Sequence, residues 1–102
     1  MADQPPSDPR LLKLRAVAMR YRKGQDSAPR VTATGKGRMA QAIMKKAGEA
    51  GVPLVEDPDL VALLDKIPMG DTIPPDLYKA VAEVLAYVYR INARFRDRIQ
   101  EG

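Results

Sequence analysis

The chain of 102 residues has a hydrophobic content of 45% and a formal net charge of +4, which fit one small globular domain. It contains neither cysteine nor histidine, which excludes disulfides, thiolate or imidazole metal sites, and Ser-His or Cys-His catalysis. No apolar run approaches the ~20 residues that span a bilayer, and the N-terminus has no apolar signal segment, so we expect a cytoplasmic protein.

The first third of the chain predicts a tail followed by two strands. Residues 1–10 contain three prolines and no apolar periodicity, so we expect a disordered tail before a domain over 11–95. Side chains over 11–21 alternate imperfectly between an apolar and a mixed side, which is typical of a strand covered on both faces in its second half. After a polar loop, Pro29 leads into a short strand over 30–33.

A helix is predicted next, and a strand after it. Thr34 is a candidate N-cap, and Gly51 stands where a left-handed glycine ends such a helix. Four apolar residues at helical spacing mark the face that we expect to be buried: Met39, Ile43, Ala47 and Ala50. The apolar run V-P-L-V at 52–55 predicts a short buried strand.

A short helix follows this run. Asp57 and Pro58 are a start signal, with an acidic cap and a proline at the first helical position, and Pro68 ends the helix. We expect a turn and a short edge strand over 69–73. The apolar side of the helix is Leu60, Leu63, Leu64 and Ile67. Strands that alternate with helices predict a single α/β domain, with a small mixed sheet surrounded by helices.

The last helix opens at residues 74–76 and carries two apolar faces. One is a core seam: Leu77, Val81, Val84, Val88, Ile91 and Phe95. The other is rotated from it by about 100°, and a helix with one buried face does not need it. It consists of Tyr78, Ala82, Leu85 and Tyr89. This second stripe either packs under residues 27–29 and the sheet or forms part of a surface groove for a partner's apolar side chain. The end over 96–102 is expected to fray.

Two motifs resemble chemical sites only superficially. Residues 34–37, T-G-K-G, fail the G-x-x-x-x-G-K-[ST] spacing of a phosphate loop, so a tight strand-to-helix turn is the better interpretation. The acidic group Glu56, Asp57 and Asp59 lacks a histidine to complete a metal site, and Asp57 is better used as a helix cap. We therefore expect neither an enzyme nor a bound metal or cofactor.

Positive charge is concentrated in the first half of the chain. Residues 1–46 carry 11 Lys/Arg against 3 Asp/Glu, whereas residues 47–102 carry 6 against 10. The basic half is either a solvated face or a surface that attracts nucleic acid or anionic lipid. Because the sequence has no RNP-type aromatic strand, GXXG loop or zinc-knuckle spacing, we expect no nucleic-acid partner.

Four blocks of the sequence are similar to the cytoplasmic export-gate domain of the FlhB/YscU family of flagellar and type III secretion. They are A-V-A-M-R-Y at 16–21, A-P-R-V-T-A-T-G at 28–35, G-V-P-L-V-E-D-P-D-L at 51–60 and M-G-D-T-I-P-P-D-L-Y-K-A-V-A-E-V-L-A-Y-V at 69–88. The last block is long and specific. The resemblance covers nearly all of residues 15–90 and implies a small mixed sheet wrapped by helices.

The resemblance also implies a role in protein export. In the family this domain lies below the membrane export gate, recognises early substrates of rod and hook, and takes part in the switch to late substrates. It implies rod- and hook-type export substrates and export-gate membrane proteins as partners, at a cytoplasmic site peripheral to the gate. Family members cleave themselves within an N-P-T-H motif. Residues 11–14, L-L-K-L, stand at that position here, so we expect no autocleavage.

A substrate-binding apolar patch of the family maps onto Ala28, Pro29, Ala82 and Leu85, and Tyr78 and Tyr89 would flank it. The leading interpretation is a stand-alone, monomeric export component that binds substrates or gate components and contributes to specificity switching. Two alternatives stay open. One is a structural subunit that completes a membrane-bound family member cut short before this domain, and the other is a basic-surface binder of nucleic acid or anionic lipid.

Overall fold

The structure is a computed structural model that describes the backbone of residues 13–101 and the side chains of residues 13–92. The tail expected at 1–10 lies outside the described residues. The side chains of the end expected to fray, 96–102, lie outside them too, as does that of Phe95 in the expected seam. These expectations stay predictions.

Two antiparallel strands form the sheet of the described region. β1 spans Arg15–Arg20 and β2 spans Arg30–Lys36, so both predicted strands are confirmed in position and the second is three residues longer. The register shifts after Ala18, where Thr32 of β2 has no residue opposite it. The hydroxyl of this extra residue donates to the carbonyl oxygen of Ala18 at 3.3 Å. Such a bulge increases the local twist of the sheet.

The first helix, α1, spans Arg38–Glu49. Its N-cap is Gly37, so the prediction of Thr34 as the cap is wrong, because Thr34 still belongs to β2. Gly37 has a φ of 54°, a backbone conformation that favours glycine. Its conformation lets the chain turn from the last residue of β2 directly into the helix.

The predicted buried face of α1 is right in the middle of the helix, where Ile43 and Ala47 are half-buried, and wrong at its two ends, where Met39 and Ala50 are exposed. Ala40 is fully buried, whereas Met39 points to solvent. A Cβ atom built on Gly35 of β2 would lie 2.7 Å from the Cβ of Met39. The first turn of α1 therefore approaches β2 so closely that only small residues, Gly35 and Ala40, fit between them.

The end of α1 confirms the predicted left-handed glycine. Gly51 has a φ of 72°. Its amide donates to the carbonyl oxygen of Gly48 at 3.2 Å, and the amide of Val52 donates to that of Ala47 at 2.8 Å. These two bonds form a Schellman motif, which satisfies carbonyl groups that the end of a helix leaves without partners.

Residues 52–55 do not form the predicted strand. They have no strand pairing within the described region, and Val52, Leu54 and Val55 are exposed. The prediction is wrong because a β-type sequence forms a strand only beside a neighbour that completes its hydrogen bonds. The described sheet is consequently antiparallel and not mixed as predicted. The predicted class, a single α/β domain with a small sheet and surrounding helices, is confirmed.

The second helix, α2, spans Pro58–Leu64 and begins as predicted. The carboxylate of Asp57 accepts a hydrogen bond from the amide of Leu60 at 3.1 Å, which caps the first turn. The chain then turns, with the amide of Ile67 donating to the carbonyl oxygen of Leu64 at 3.0 Å. In place of an edge strand over 69–73 there is a single antiparallel bridge between Arg30 and Thr72.

The last helix, α3, spans Tyr78–Glu101. The residues at which it was predicted to open, 74–76, lead into a single 3-10 turn at Pro75–Leu77 that precedes it. At 24 residues α3 is the longest element of the described chain. In the part of the chain that the structure describes, no helix is both long and apolar enough to cross a membrane.

The sheet lies between α1 on one face and α2 with α3 on the other. Successive side chains of a strand point to opposite faces, so Ala16 and Ala18 face α1 while Val17 and Met19 face the main core. That core joins β2, α2, α3 and the turn before α3. Its buried residues are Val31, Leu60, Leu64, Ile73 and Val81.

Candidate binding surface on the last helix

The inner face of α3 packs on the main core. Val81 is buried in the cluster, and Ala80, Val84 and Leu85 pack against it from the same helix. Val88 is half-buried one turn further on, and Ile91 is more exposed. The predicted seam is therefore confirmed as far as Val88, and from Ile91 the helix leaves the core.

The second predicted stripe lies at the edge of this buried face. Tyr78 and Tyr89 are 45% and 46% exposed, and Ala82 is exposed between them. Leu85 is half-buried because it also packs against the core cluster. Of the two interpretations of this stripe, packing inside the domain explains why Leu85 is apolar. It does not explain Tyr78, Ala82 and Tyr89, whose apolar surface faces solvent.

The exposed stripe includes one residue that the sequence analysis missed, Ala86. Ala86 follows Ala82 by four positions, lies on the same side of the helix, and is exposed. The four-residue spacing was the signal that could have found it. On the far side the stripe is bounded by exposed charged residues, Lys79, Glu83 and Arg90. We call Tyr78, Ala82, Leu85, Ala86 and Tyr89 together the α3 stripe.

The two other predicted patch residues are buried. Ala28 and Pro29 lie just before β2, and the carbonyl oxygen of Pro29 accepts a hydrogen bond from the amide of Ile73 at 2.9 Å. Ile73 belongs to the cluster against which Leu85 packs. Of the four predicted residues, Ala82 and Leu85 carry the accessible side-chain area. Their grouping with Ala28 and Pro29 into one binding patch stays a prediction.

A charged pair stabilises the loop that leads to Ala28. The carboxylate of Asp26 accepts hydrogen bonds from the backbone amide of Arg22 at 2.8 Å and from its Nε at 3.5 Å. The hydrogen bond from the backbone amide of Arg22 is the main reason that the pKa of Asp26 lies below its usual value. The side chain of Arg22 lowers this pKa further, through its hydrogen bond and its positive charge. At neutral pH the loop is therefore closed by an ionised carboxylate.

The acidic group at 56–59 behaves as a helix start. Asp57 is the N-cap of α2, and Asp59 lies in its first turn, where negative charge is favourable. Within the described region no group of three or more acidic, histidine or cysteine residues is arranged to hold a metal ion.

Comparison with known proteins gives matches over most of the chain. Residues 15–88 match the model of the FlhB HrpN YscU SpaS family. The chain is 43% identical to the protein YlqH of Bacillus subtilis over 84 residues. This aligned segment covers 82% of this chain and 90% of YlqH. The chain is 45% identical to the flagellar biosynthetic protein FlhB of Aquifex aeolicus over 74 residues. This segment covers 72% of this chain and 21% of FlhB. The matched part thus spans about a fifth of that FlhB.

The fold is also that of solved domains. A crystal structure of an EscU/SpaS C-terminal domain matches with a TM-score of 0.71 at 31% identity, over 74% of this chain and 95% of that domain. The sequence resemblance correctly implied this architecture. The α3 stripe lies within residues 15–88, the segment that the family model covers.

Proposed function

Because this chain belongs to the FlhB, HrpN, YscU and SpaS family, we propose that it is a non-enzymatic component of flagellar or type III protein export that binds export substrates or export-gate components. The observation that carries the proposal is the α3 stripe, an apolar surface on a helix whose other apolar face is already buried in the core. An apolar stripe that the fold leaves uncovered is typical of a binding surface.

The shape of the stripe favours a short apolar segment as ligand. Ala82 and Ala86 are small, so they leave space for an incoming side chain between the two tyrosines. Tyr78 and Tyr89 present ring faces together with hydroxyl groups that can donate or accept. Leu85, held by the core, forms the floor. We propose rod- and hook-type export substrates as the source of that segment.

We extend the proposal to substrate-specificity switching. A single apolar surface holds one segment at a time, so an early substrate bound there excludes any other segment that needs the same surface. The proposed site of action is cytoplasmic and peripheral to the membrane export gate, and the proposed state is a monomer.

A second candidate function is supported by the lengths of the relatives that the chain matches. The matched region is a fifth of FlhB but nine tenths of YlqH, so domains of this type exist both within a larger protein and as a short chain. This supports a structural subunit that completes a membrane-bound family member cut short before this domain. Co-purification with such a membrane protein, in the absence of export substrate, would favour this function.

A third candidate, a binder of nucleic acid or anionic lipid, is distinguished by salt. Binding through the basic residues of the first half would weaken steeply as salt rises, because counterions are released. The affinity of an apolar segment for the α3 stripe would change little over the same range of salt concentration.

We predict that the protein does not cleave itself. Lys13 and Leu14 lie in the described region at the position of the family's N-P-T-H motif, and leucine and lysine have no side-chain amide that could attack the main chain. After prolonged incubation at neutral pH, intact mass spectrometry should show one full-length species. Two fragments split near Leu14 would show that the prediction is wrong.

The proposed function is tested by export in cells. Removal of the gene is expected to change the amount of rod- and hook-type protein that reaches the medium, and wild-type protein should restore it. Ala82→Asp should fail to restore export because it places a charge in the α3 stripe. Tyr87→Asp is the matched control, since Tyr87 is exposed on the same helix about 140° around from Ala82. Unchanged export without the gene, or restoration by Ala82→Asp, would contradict the proposal.

A further inference from the structure

The two-stranded sheet carries a pair of like charges at each of its ends. In the register of β1 and β2, Arg15 lies opposite Lys36, and Arg20 lies opposite Arg30. Residues directly opposite each other in an antiparallel pair have Cβ atoms about 5 Å apart on the same face of the sheet, and like charges in such pairs are destabilising. Each end of the sheet is therefore stabilised by a negative charge placed beside its pair.

The pair at one end is neutralised within the domain. The guanidinium of Arg15 forms an ion pair with the carboxylate of Asp65, at the end of α2, with an N–O distance of 3.2 Å. The side chain of Asp65 is only 12% exposed, so this carboxylate is held in place beside the strand. A residue of the chain itself thus offsets the repulsion between Arg15 and Lys36.

The pair at the other end lacks such a carboxylate. Within the described region, neither Arg20 nor Arg30 forms an ion pair. The charge of Arg20 does reach Asp26 and helps to lower its pKa. The hydrogen bonds of that carboxylate go instead to the backbone amide and the Nε of Arg22. Asp26 is therefore already engaged, and this end of the sheet keeps an excess of positive charge.

The side chain of Arg30 is held in a fixed position. It is half-buried, and one N–H of its guanidinium donates to the carbonyl oxygen of Gly70. That bond orients the guanidinium and leaves its other N–H groups for a further acceptor. Arg20 is exposed on the opposite strand. A charge that is partly removed from water is costly without a partner of opposite sign, so an anion from outside the domain would stabilise this pair.

We propose that Arg20 and Arg30 form a binding site for a side-chain carboxylate that is supplied by an acidic segment of a partner protein. The planar guanidinium matches a carboxylate, because two parallel N–H groups can donate to its two oxygens. The ligand would do at this end of the sheet what Asp65 does at the other. The site shares no residue with the α3 stripe, so the proposal does not depend on the proposed function.

The surroundings of the pair favour a compact ligand over a nucleic acid or a membrane. Asp26 lies near Arg20, and Asp71 follows Gly70 in the chain and is exposed. These two carboxylates would repel the phosphates of a nucleic acid or of a lipid surface that extends past the two arginines. A protein segment can place one acidic residue at the pair and uncharged residues beside it, so the charge pattern fits a peptide best.

The test is a titration of the isotope-labelled full chain with the capped peptide acetyl-Gly-Glu-Glu-Gly-amide, followed by NMR. We expect the guanidinium signals of Arg20 and Arg30 to shift. Arg20→Gln should weaken binding about threefold or more, since one of the two charged donors is lost. Lys36→Gln is the matched control. It removes the same charge from the neutralised pair at the other end, and the affinity should stay within about twofold of the wild type, because distant surface charges are screened.

The remaining arms separate the other possible ligands. The neutral peptide acetyl-Gly-Gln-Gln-Gly-amide should cause no shift at the two arginines. Equal losses for Arg20→Gln and Lys36→Gln would show attraction to the overall charge and would overturn the proposal. Larger shifts with phosphatidylglycerol vesicles or a single-stranded oligonucleotide than with the acidic peptide would assign the pair to phosphates and would also overturn it. Shifts that appear without peptide as the chain is concentrated would assign the pair to a second copy, with the same consequence.

Discussion

Replacing Ile73 by alanine is expected to lower the free energy of unfolding by about 3 kcal/mol. Ile73 is 2% exposed and lies in the cluster that joins β2, α2 and α3. The smaller side chain would leave a cavity at the place where these elements meet, and neighbouring residues can fill it only in part. Urea denaturation followed by circular dichroism measures the change. A loss of this size is a large share of the stability of a domain this small.

Ile91→Ala is the matched control for this prediction. It removes the same atoms from a side chain that is 36% exposed, beyond the point where α3 leaves the core. We expect its free energy of unfolding to stay within about 0.5 kcal/mol of the wild type. Equal losses for the two variants would show that the core extends along α3 further than the structure places it.

The second large effect is expected at Gly35. A Cβ atom there would lie 2.7 Å from the Cβ of Met39, 3.0 Å from its carbonyl carbon and 3.2 Å from the amide nitrogen of Ala40. Two of these three atoms belong to the backbone, so α1 must move for alanine to fit. Gly35→Ala is expected to cost about 2 kcal/mol of stability, as overpacking of a close contact does. Thermal unfolding measures it, with a lower Tm for the variant.

Gly48→Ala is the control, and the expected sign is the opposite. Gly48 lies in α1, and a Cβ atom there would meet nothing within 4 Å. Alanine favours helix over glycine by about 1 kcal/mol, so this variant should raise the Tm. If Gly35→Ala were as stable as Gly48→Ala, the close approach of β2 and α1 would not exist in solution.

The parts of the fold that the sequence predicted correctly are those that depend on local chemistry. Asp57 caps α2 because its carboxylate reaches an amide three residues away. Gly51 ends α1 because its left-handed conformation directs two amides back to the helix. Both interactions involve residues close in sequence, so the sequence pattern contains all the partners.

The parts of the fold that the sequence predicted wrongly depend on contacts between residues that are not adjacent in the local sequence pattern. Thr34 looked like a cap, but its place in β2 is decided by pairing with Val17. Met39 looked buried by spacing, but the contact of Gly35 with the first turn of α1 selects Ala40 for the buried face. Residues 52–55 looked like a strand, and their missing neighbour could not be read from their own composition.

The candidate surface was predictable in the same partial way. Helical spacing identified the α3 stripe as separate from the core seam, and the structure places three of its predicted members at the surface. Spacing could not show that Leu85 is shared with the core, nor that Ala28 and Pro29 are buried.

The central claim, that the α3 stripe binds export substrates, is tested most directly by titration of rod- and hook-type substrate segments into the isotope-labelled protein. Amide shifts should cluster at Tyr78, Ala82, Leu85 and Tyr89. Ala82→Asp should weaken binding by about 2 kcal/mol or more, because the ligand would bury an unpaired charge, while the variant stays folded since Ala82 is exposed. Tyr87→Asp should bind like the wild type. Shifts that cluster elsewhere, or unchanged affinity in folded Ala82→Asp, would contradict the claim.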